Sequence, residues 1–239
     1  MSLFSKMKLF FSRIFSTSPD KEVSAEIKIS NPYIDSDAIS SLSVASIKLE
    51  NKFGIKSTGK CAICVKDVNL DSFNEMKNYV ENFLGIVSNE QKKEQIPFSF
   101  ESFLDEYNYL WFILKGKKIE DLVAGINAVG DTIHEKGFSR QLLGAVFEFT
   151  SGYEEISPEI KKTDLGNIGN IYGENRNSYL IYNYKTDKFY PFVPIGPVLK
   201  NGKRKRDNQM EFDIMNEISK EIPFQKDYSQ WYPIWNIPL

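Results

Sequence analysis

Cys61 and Cys64, separated by Ala62 and Ile63, form a C-x-x-C, the spacing used for dithiol exchange and for half of a zinc site. The residues around them predict a strand through Cys61 to Val68. A strand rises about 3.3 Å per residue, so the two Cα atoms would stand roughly 10 Å apart with side chains on opposite faces, beyond the ~7 Å limit for a disulfide. There is no second cysteine pair, and His134, the single histidine, cannot complete four ligands. Both cysteines therefore read as small buried hydrophobes, and neither metal nor cofactor is expected. His134 falls in the final turn of a predicted helix, where the dipole favours an imidazolium, and reads as a partly exposed capping residue. Asp105 with Glu106 and Glu154 with Glu155 are sequence neighbours, which suits solvated loop charge better than carboxylates facing across a cleft. Gly166-Asn167-Ile168-Gly169 matches neither phosphate-binding glycine pattern. Lys203-Arg204-Lys205-Arg206 is the densest run of charge and could meet phosphate on nucleic acid or lipid, but in a chain of acidic balance a solvated loop before a helix is the favoured reading.

These residues spell out no reaction, and the composition narrows the classes further. The chain has 239 residues, 41% of them hydrophobic, enough for a core without disulfides or metals. A net charge of −2 supplies no global field for nucleic acid, and none is expected as a partner. Two cysteines are too few for a stapled secreted domain, so a reducing cytoplasm is the natural compartment. No stretch approaches the roughly 20 apolar residues of a membrane span, and the longest early apolar run, Leu9 to Phe11, falls short of a signal-peptide core.

The elements that must position any site follow from periodicity. Ile39, Leu42, Val44, Ile47 and Leu49 suggest a helix ending near Gly54. Asp71 caps another that carries Phe73, Met76, Val80, Phe83 and Leu84. Ser88 to Gln95 reads as a surface loop and Tyr107 to Lys115 as a buried strand. Ile119, Leu122, Val123, Ile126, Val129 and Ile133 stripe a helix whose C′ residue is Gly137. Leu142 to Thr150 is a strand, and a glycine-containing loop runs from Ser151 to Asn177. Strands Ser178 to Tyr184 and Lys188 to Val193 make a hairpin through Lys185, Thr186 and Asp187. Asn208 and Glu211 have capping-box spacing ahead of a helix striped by Met210, Ile214 and Ile218, which Pro223 closes. The expected class is α+β, a largely antiparallel sheet packed with helices. Residues 36–239 form this body, with a division into two similar lobes near residue 117 as an alternative.

Ahead of the body, residues 1–18 predict an amphipathic helix and residues 19–35 a linker. Leu3, Phe4, Met7, Phe10, Phe11, Ile14 and Phe15 recur at helical spacing, Lys6, Lys8 and Arg13 lie among the polar positions, and the first acidic residue is Asp20. A helix over residues 3–16 is about 21 Å long, too short to cross a ~30 Å hydrocarbon core but able to lie in its interface. An anionic lipid surface and a protein groove fit this stripe equally well. The C-terminal residues gather Trp231 and Trp235 with Pro233 and Pro238, too apolar to dangle, and wrapping over the core is their default reading; the alternative is a second candidate partner patch with Lys203, Arg204, Lys205 and Arg206.

Five sets of residues carry a family resemblance: Gly137-Phe138 leading into Gln141-Leu142-Leu143; Tyr190-Pro191-Phe192-Val193-Pro194; Arg206-Asp207-Asn208 with Glu211; Asp227 with Trp231, Pro233, Trp235 and Pro238; and Asp105 to Trp111, where glycine is expected in place of Asn108. On these the chain resembles the PspA-associated proteins of the PspAB type, encoded near phage-shock membrane-stress proteins and HtpX-like proteases. The resemblance implies a cytoplasmic accessory protein of the membrane-stress response with PspA-like or HtpX-like partners; a peripheral place at the inner face of the membrane is expected from residues 1–18 instead. The resemblance transfers no catalytic residues. The leading expectation is therefore a non-enzymatic interaction protein. The alternative is an enzyme or small-ligand binder with a site near Tyr182, Tyr190, Arg206 and Asp207.

Overall fold

Short apolar runs bounded by turns become strands here, and the first of them ends up in the middle of the sheet. A computed structural model describes residues 36–93, 97–151 and 176–239. Strand β1 (Ile55–Lys66) pairs antiparallel with β3 (Tyr109–Gly116) on one side and with β4 (Leu142–Ser151) on the other. Adding β2 (Phe98–Leu104), β5 (Arg176–Asn183) and β6 (Lys188–Phe192) gives a six-stranded antiparallel sheet in the order β2-β3-β1-β4-β5-β6. The α+β expectation is met. Strands from either side of residue 117 hydrogen-bond within this one sheet, since β3 and β4 both flank β1.

Register explains why the central strands read as unbroken apolar runs. Cys61, Ile63 and Val65 align with Leu114, Phe112 and Leu110, and Cys61 and Ile63 also with Phe147 and Ala145, all on one face. Helix α4 (Ile119–Glu135) lies on that face; the Cys61 thiol donates to the Leu122 carbonyl at 4.0 Å. Gly125 permits the approach, because a Cβ there would sit 2.7 Å from Leu114 Cδ1. On the opposite face Ala62, Cys64, Trp111, Ile113 and Val146 are buried as well. With both faces covered, the polar half of a strand's usual alternation has no place.

Helices α1 (Ser36–Ser40), α2 (Leu42–Phe53), α3 (Asp71–Lys93) and α5 (Asn208–Ile218) complete the main elements. Helix α4 buries its expected stripe, and Gly137 (φ 86°) stands at C′ while the Phe138 amide bonds back to the Ile133 carbonyl. Four details depart from the periodicity. Residues Ala38, Ile39, Leu42, Ala45 and Leu49 face the core, whereas Val44 and Ile47 are more than half exposed, because Ser41 offsets α1 from α2. Residues 88–93, expected as loop, continue α3, since Val87, Ser88 and Gln91 fall on its buried side and the Ser88 hydroxyl donates to the Phe98 carbonyl. Strand β2 has no counterpart in the sequence reading; its alternation breaks at Ser102, whose hydroxyl is taken up by Glu81 of α3. The cap of α5 is Asp207, which accepts from the Met210 amide at 3.1 Å, and Asn208 is already helical.

The expected amphipathic helix over 1–18, the linker over 19–35 and the glycine-containing loop with Glu154 and Glu155 fall outside the described residues.

The β2–β3 turn meets the glycine expectation in its own way. Asn108 adopts φ 61°, the left-handed region that asparagine tolerates better than most residues. Asp105 fixes the turn by accepting from the Tyr107 and Tyr109 amides at 2.9 Å each and from Trp111 Nε1 at 2.8 Å. Replacing Asp105 by alanine strands the buried indole N–H and two amides. The expected loss is about 1–3 kcal/mol, read as a lowered urea midpoint at unchanged slope; an unchanged midpoint would refute the role.

Candidate functional site

Two polar constellations stand out, and the first gathers three of the five sets of the family resemblance: Tyr190 to Pro194, Arg206 with Glu211, and the segment of Trp231 and Trp235. Arg206 ends the two-residue strand β8 (Lys205–Arg206), which pairs with β7 (Pro194–Ile195). Its guanidinium grips Glu211 of α5 through Nη2 to Oε2 at 2.7 Å and Nε to Oε1 at 3.0 Å. Glu211 Oε1 also accepts from the Val193 amide at 2.9 Å, and Arg206 Nη1 donates to the Trp231 carbonyl at 3.3 Å. Glu211 is fully buried. Burial pushes its carboxyl above the usual glutamate value, opposed by the hydrogen bond from Arg206. Glu211 shares a helix face with Ile214 and Ile218, so an acid on a core stripe was the sequence clue to a buried pair.

The C-terminal segment folds over this pair. Residues Pro223 to Gln225 run beside β6, where the Phe189 amide donates to the Pro223 carbonyl and the Gln225 amide to the Phe189 carbonyl, both at 2.8 Å. Trp231 is buried and donates Nε1 to the Gln225 carbonyl. Trp235 meets Phe192 edge-on at 5.3 Å, and the Tyr190 hydroxyl donates to the Tyr232 carbonyl. Phe212 and Tyr228, both exposed, stack at 5.3 Å beside Trp231.

The sequence-predicted site residues are thus only partly brought together. In the partner patch, Arg206, Trp231 and Trp235 are engaged internally; Lys203 and Lys205 are exposed, and Arg204 donates Nε to the Gly196 carbonyl. Of the alternative site, Arg206 and Tyr190 lie near the C-terminal segment and Asp207 caps α5. Tyr182 points to the other side of the sheet, where it packs on Tyr184 and Phe189 and donates to Asp187 Oδ1 at 3.1 Å. His134 is half-buried at the end of α4, with Nδ1 2.6 Å from the Ser139 hydroxyl. Cys61 and Cys64 are buried and reduced. Burial drives the Cys61 thiol well up and that of Cys64 to about 12, the latter with help from the Asp105 charge. Among the described residues no group of three or more His, Cys, Asp or Glu could hold a metal.

The second constellation went unread in the sequence, although an acid inside the apolar run Leu142 to Phe149 marked it. Glu148 is buried within β4. Its Oε2 accepts from the Thr58 hydroxyl at 2.8 Å with Lys60 Nζ at 3.5 Å, and its Oε1 accepts from Asn177 Nδ2 at 2.9 Å with the Tyr179 hydroxyl at 3.4 Å. Burial first, then the Glu148 charge, pushes the Tyr179 hydroxyl above its ordinary value. Thr58 and Lys60 also line a groove of about 510 Å³ with Lys92, Ser99, Lys115 and Lys117.

The sheet is closed along one edge by its own C-terminal segment, and the buried charge at that edge is spent on holding it, which defines the class as α+β. The family model described as PspA associated protein B (PspAB) matches residues 25–239, and the chain belongs to that family. No curated protein and no solved structure matches it. No helix among the described residues is long and apolar enough to cross a membrane.

This geometry has two measurable consequences. Arg206→Ala or Glu211→Ala leaves a buried charge unpaired and should cost about 3–5 kcal/mol in denaturant unfolding, with Trp231 fluorescence shifting red at lower denaturant than in the parent; a loss under about 1 kcal/mol would contradict it. Native protein at pH 8 should resist a thiol reagent that reacts promptly with both cysteines in guanidinium, and rapid native labelling would show that the thiols are accessible after all.

Proposed function

We propose that this protein is a non-enzymatic accessory component of the membrane-stress response linked to PspA, docking reversibly through residues 1–18 on the inner face of the membrane or on a membrane-bound PspA-like or HtpX-like protein. The observation that carries this reading is the family match over residues 25–239. The basic amphipathic segment precedes the matched region, so it supplies a contact additional to the family body. A stripe of seven apolar residues with Lys6, Lys8 and Arg13 gains from burial and from anionic headgroups at roughly 1 kcal/mol per basic residue, against the cost of ordering the helix. Such a balance favours conditional rather than permanent attachment. The commitment of Tyr182, Tyr190, Arg206 and Asp207 to separate internal partners supports this reading over a ligand site built from those four.

Co-sedimentation with vesicles rich in phosphatidylglycerol compares the intact chain with one starting at residue 19. Lipid docking predicts that only the intact chain pellets, and less so as salt rises. Equal pelleting of both, or of neither, would overturn lipid docking and leave capture of a protein partner by the intact chain, absent from the truncated one, as the form of the proposal still to be met.

A further inference from the structure

The groove beside Glu148 carries an inference independent of the N-terminal segment. Its walls come from the first half of β1 (Thr58, Gly59, Lys60), the end of α3 (Lys92), the start of β2 with the residue before it (Pro97, Phe98, Ser99) and the end of β3 with the residue after it (Lys115, Gly116, Lys117). The floor is built by close backbone contact. Gly59 sits at φ 78°, and a Cβ on it would lie 2.4 Å from the Gly116 carbonyl oxygen, so any side chain there would force β1 and β3 apart.

Four lysines from three elements thereby face one concavity, and among the described residues no carboxylate lines it. Two have a counter-charge at the margin: Lys60 reaches Glu148 at 3.5 Å, and Lys115 reaches Glu101 at 2.6 Å. Lys92 and Lys117 make no ion pair among the described residues and are exposed. Like charges gathered within a Debye length, about 8–10 Å at ordinary salt, repel one another unless an anion joins them. In a chain of net charge −2, this concentration runs against the overall balance. The ammonium group is a compact donor suited to phosphate oxygens, and the Ser99 hydroxyl on the same wall adds a neutral donor.

We propose that this groove binds phosphate groups, with Lys92 and Lys117 as the principal donors, Lys60 and Lys115 flanking them and Ser99 contributing its hydroxyl. The phosphate could be borne by an anionic lipid headgroup or by a soluble phosphate ester, and the two differ only in what stands behind the same oxygens.

The test is lysine footprinting by reductive methylation of the intact protein at fixed ionic strength, read by mass spectrometry. One arm adds inorganic pyrophosphate; the other adds phosphatidylglycerol vesicles, with phosphatidylcholine vesicles as the neutral control. Selective protection of Lys92 and Lys117, with exposed Lys52 and Lys220 unchanged, is expected. Protection by pyrophosphate assigns a soluble phosphate, and protection only by anionic vesicles assigns a headgroup. The double variant Lys92→Ala, Lys117→Ala should bind the effective probe about tenfold more weakly, while its urea midpoint stays that of the parent because both side chains are exposed. The proposal is overturned if neither probe protects, if neutral vesicles protect as well, or if a hexaglutamate peptide protects as strongly as the phosphate probe, which would assign an acidic protein segment instead.

Discussion

The buried pair of Arg206 and Glu211 is the constraint on which the C-terminal part of the molecule depends. Taking both charges out of water is costly, and the cost is met because both carboxylate oxygens and each of the three guanidinium nitrogens have a partner. Glu211 receives the guanidinium and the Val193 amide, and the remaining guanidinium nitrogen reaches the Trp231 carbonyl. One side chain from α5 thus ties the end of β6, the β7–β8 ribbon and the final segment together. Arg206 also lies over Tyr228 and Phe192, at 5.3 and 5.9 Å, so aromatic faces cover the cation where protein oxygens do not.

That closure answers a problem set by the sheet. An edge strand offers unpaired backbone groups to any passing strand. At β6 the groups of Phe189 are taken by Pro223 and Gln225, while Trp231, Tyr232 and Trp235 fasten the rest of the C-terminal segment. Polar residues admitted into the sheet are handled with the same completeness. Glu148 survives burial because Thr58, Lys60, Asn177 and Tyr179 surround its carboxylate from two neighbouring strands. The molecule spends its buried charge on architecture at both places.

How much of this was legible in the sequence depended on the distance between partners. Helix α4 was readable because its stripe, its acidic first turn and Gly137 all act within a few residues of one another. The β5–β6 hairpin was readable for the same reason, its turn being only the four residues Tyr184 to Asp187. Asn108 stood out only as a departure from the glycine expected there, and the turn forms all the same because asparagine tolerates the left-handed conformation. Helix α3 was cut short because the residues that extend it, Ser88 and Gln91, are polar and gain their burial from β2, which the broken alternation at Ser102 had itself concealed. Val44 and Ile47 misled because apolar residues do reach the surface, and the Ser41 offset could not be read from spacing. Glu148 and Thr58 are 90 positions apart, so no local pattern could announce their hydrogen bond. Asp207 displaced Asn208 as the cap because Glu211, the other half of the expected box, was already claimed by Arg206.

The central place of β1 bears on how the chain can mature. Among the described strands it emerges first from the ribosome, yet the two strands that flank it end at Gly116 and Ser151. Until both have been synthesised, a twelve-residue strand whose apolar run is Cys61 to Val65 has neither of its permanent neighbours. Assembly must therefore wait on contacts distant along the chain, a topology that slows folding and leaves nascent polypeptide in need of shelter during that interval.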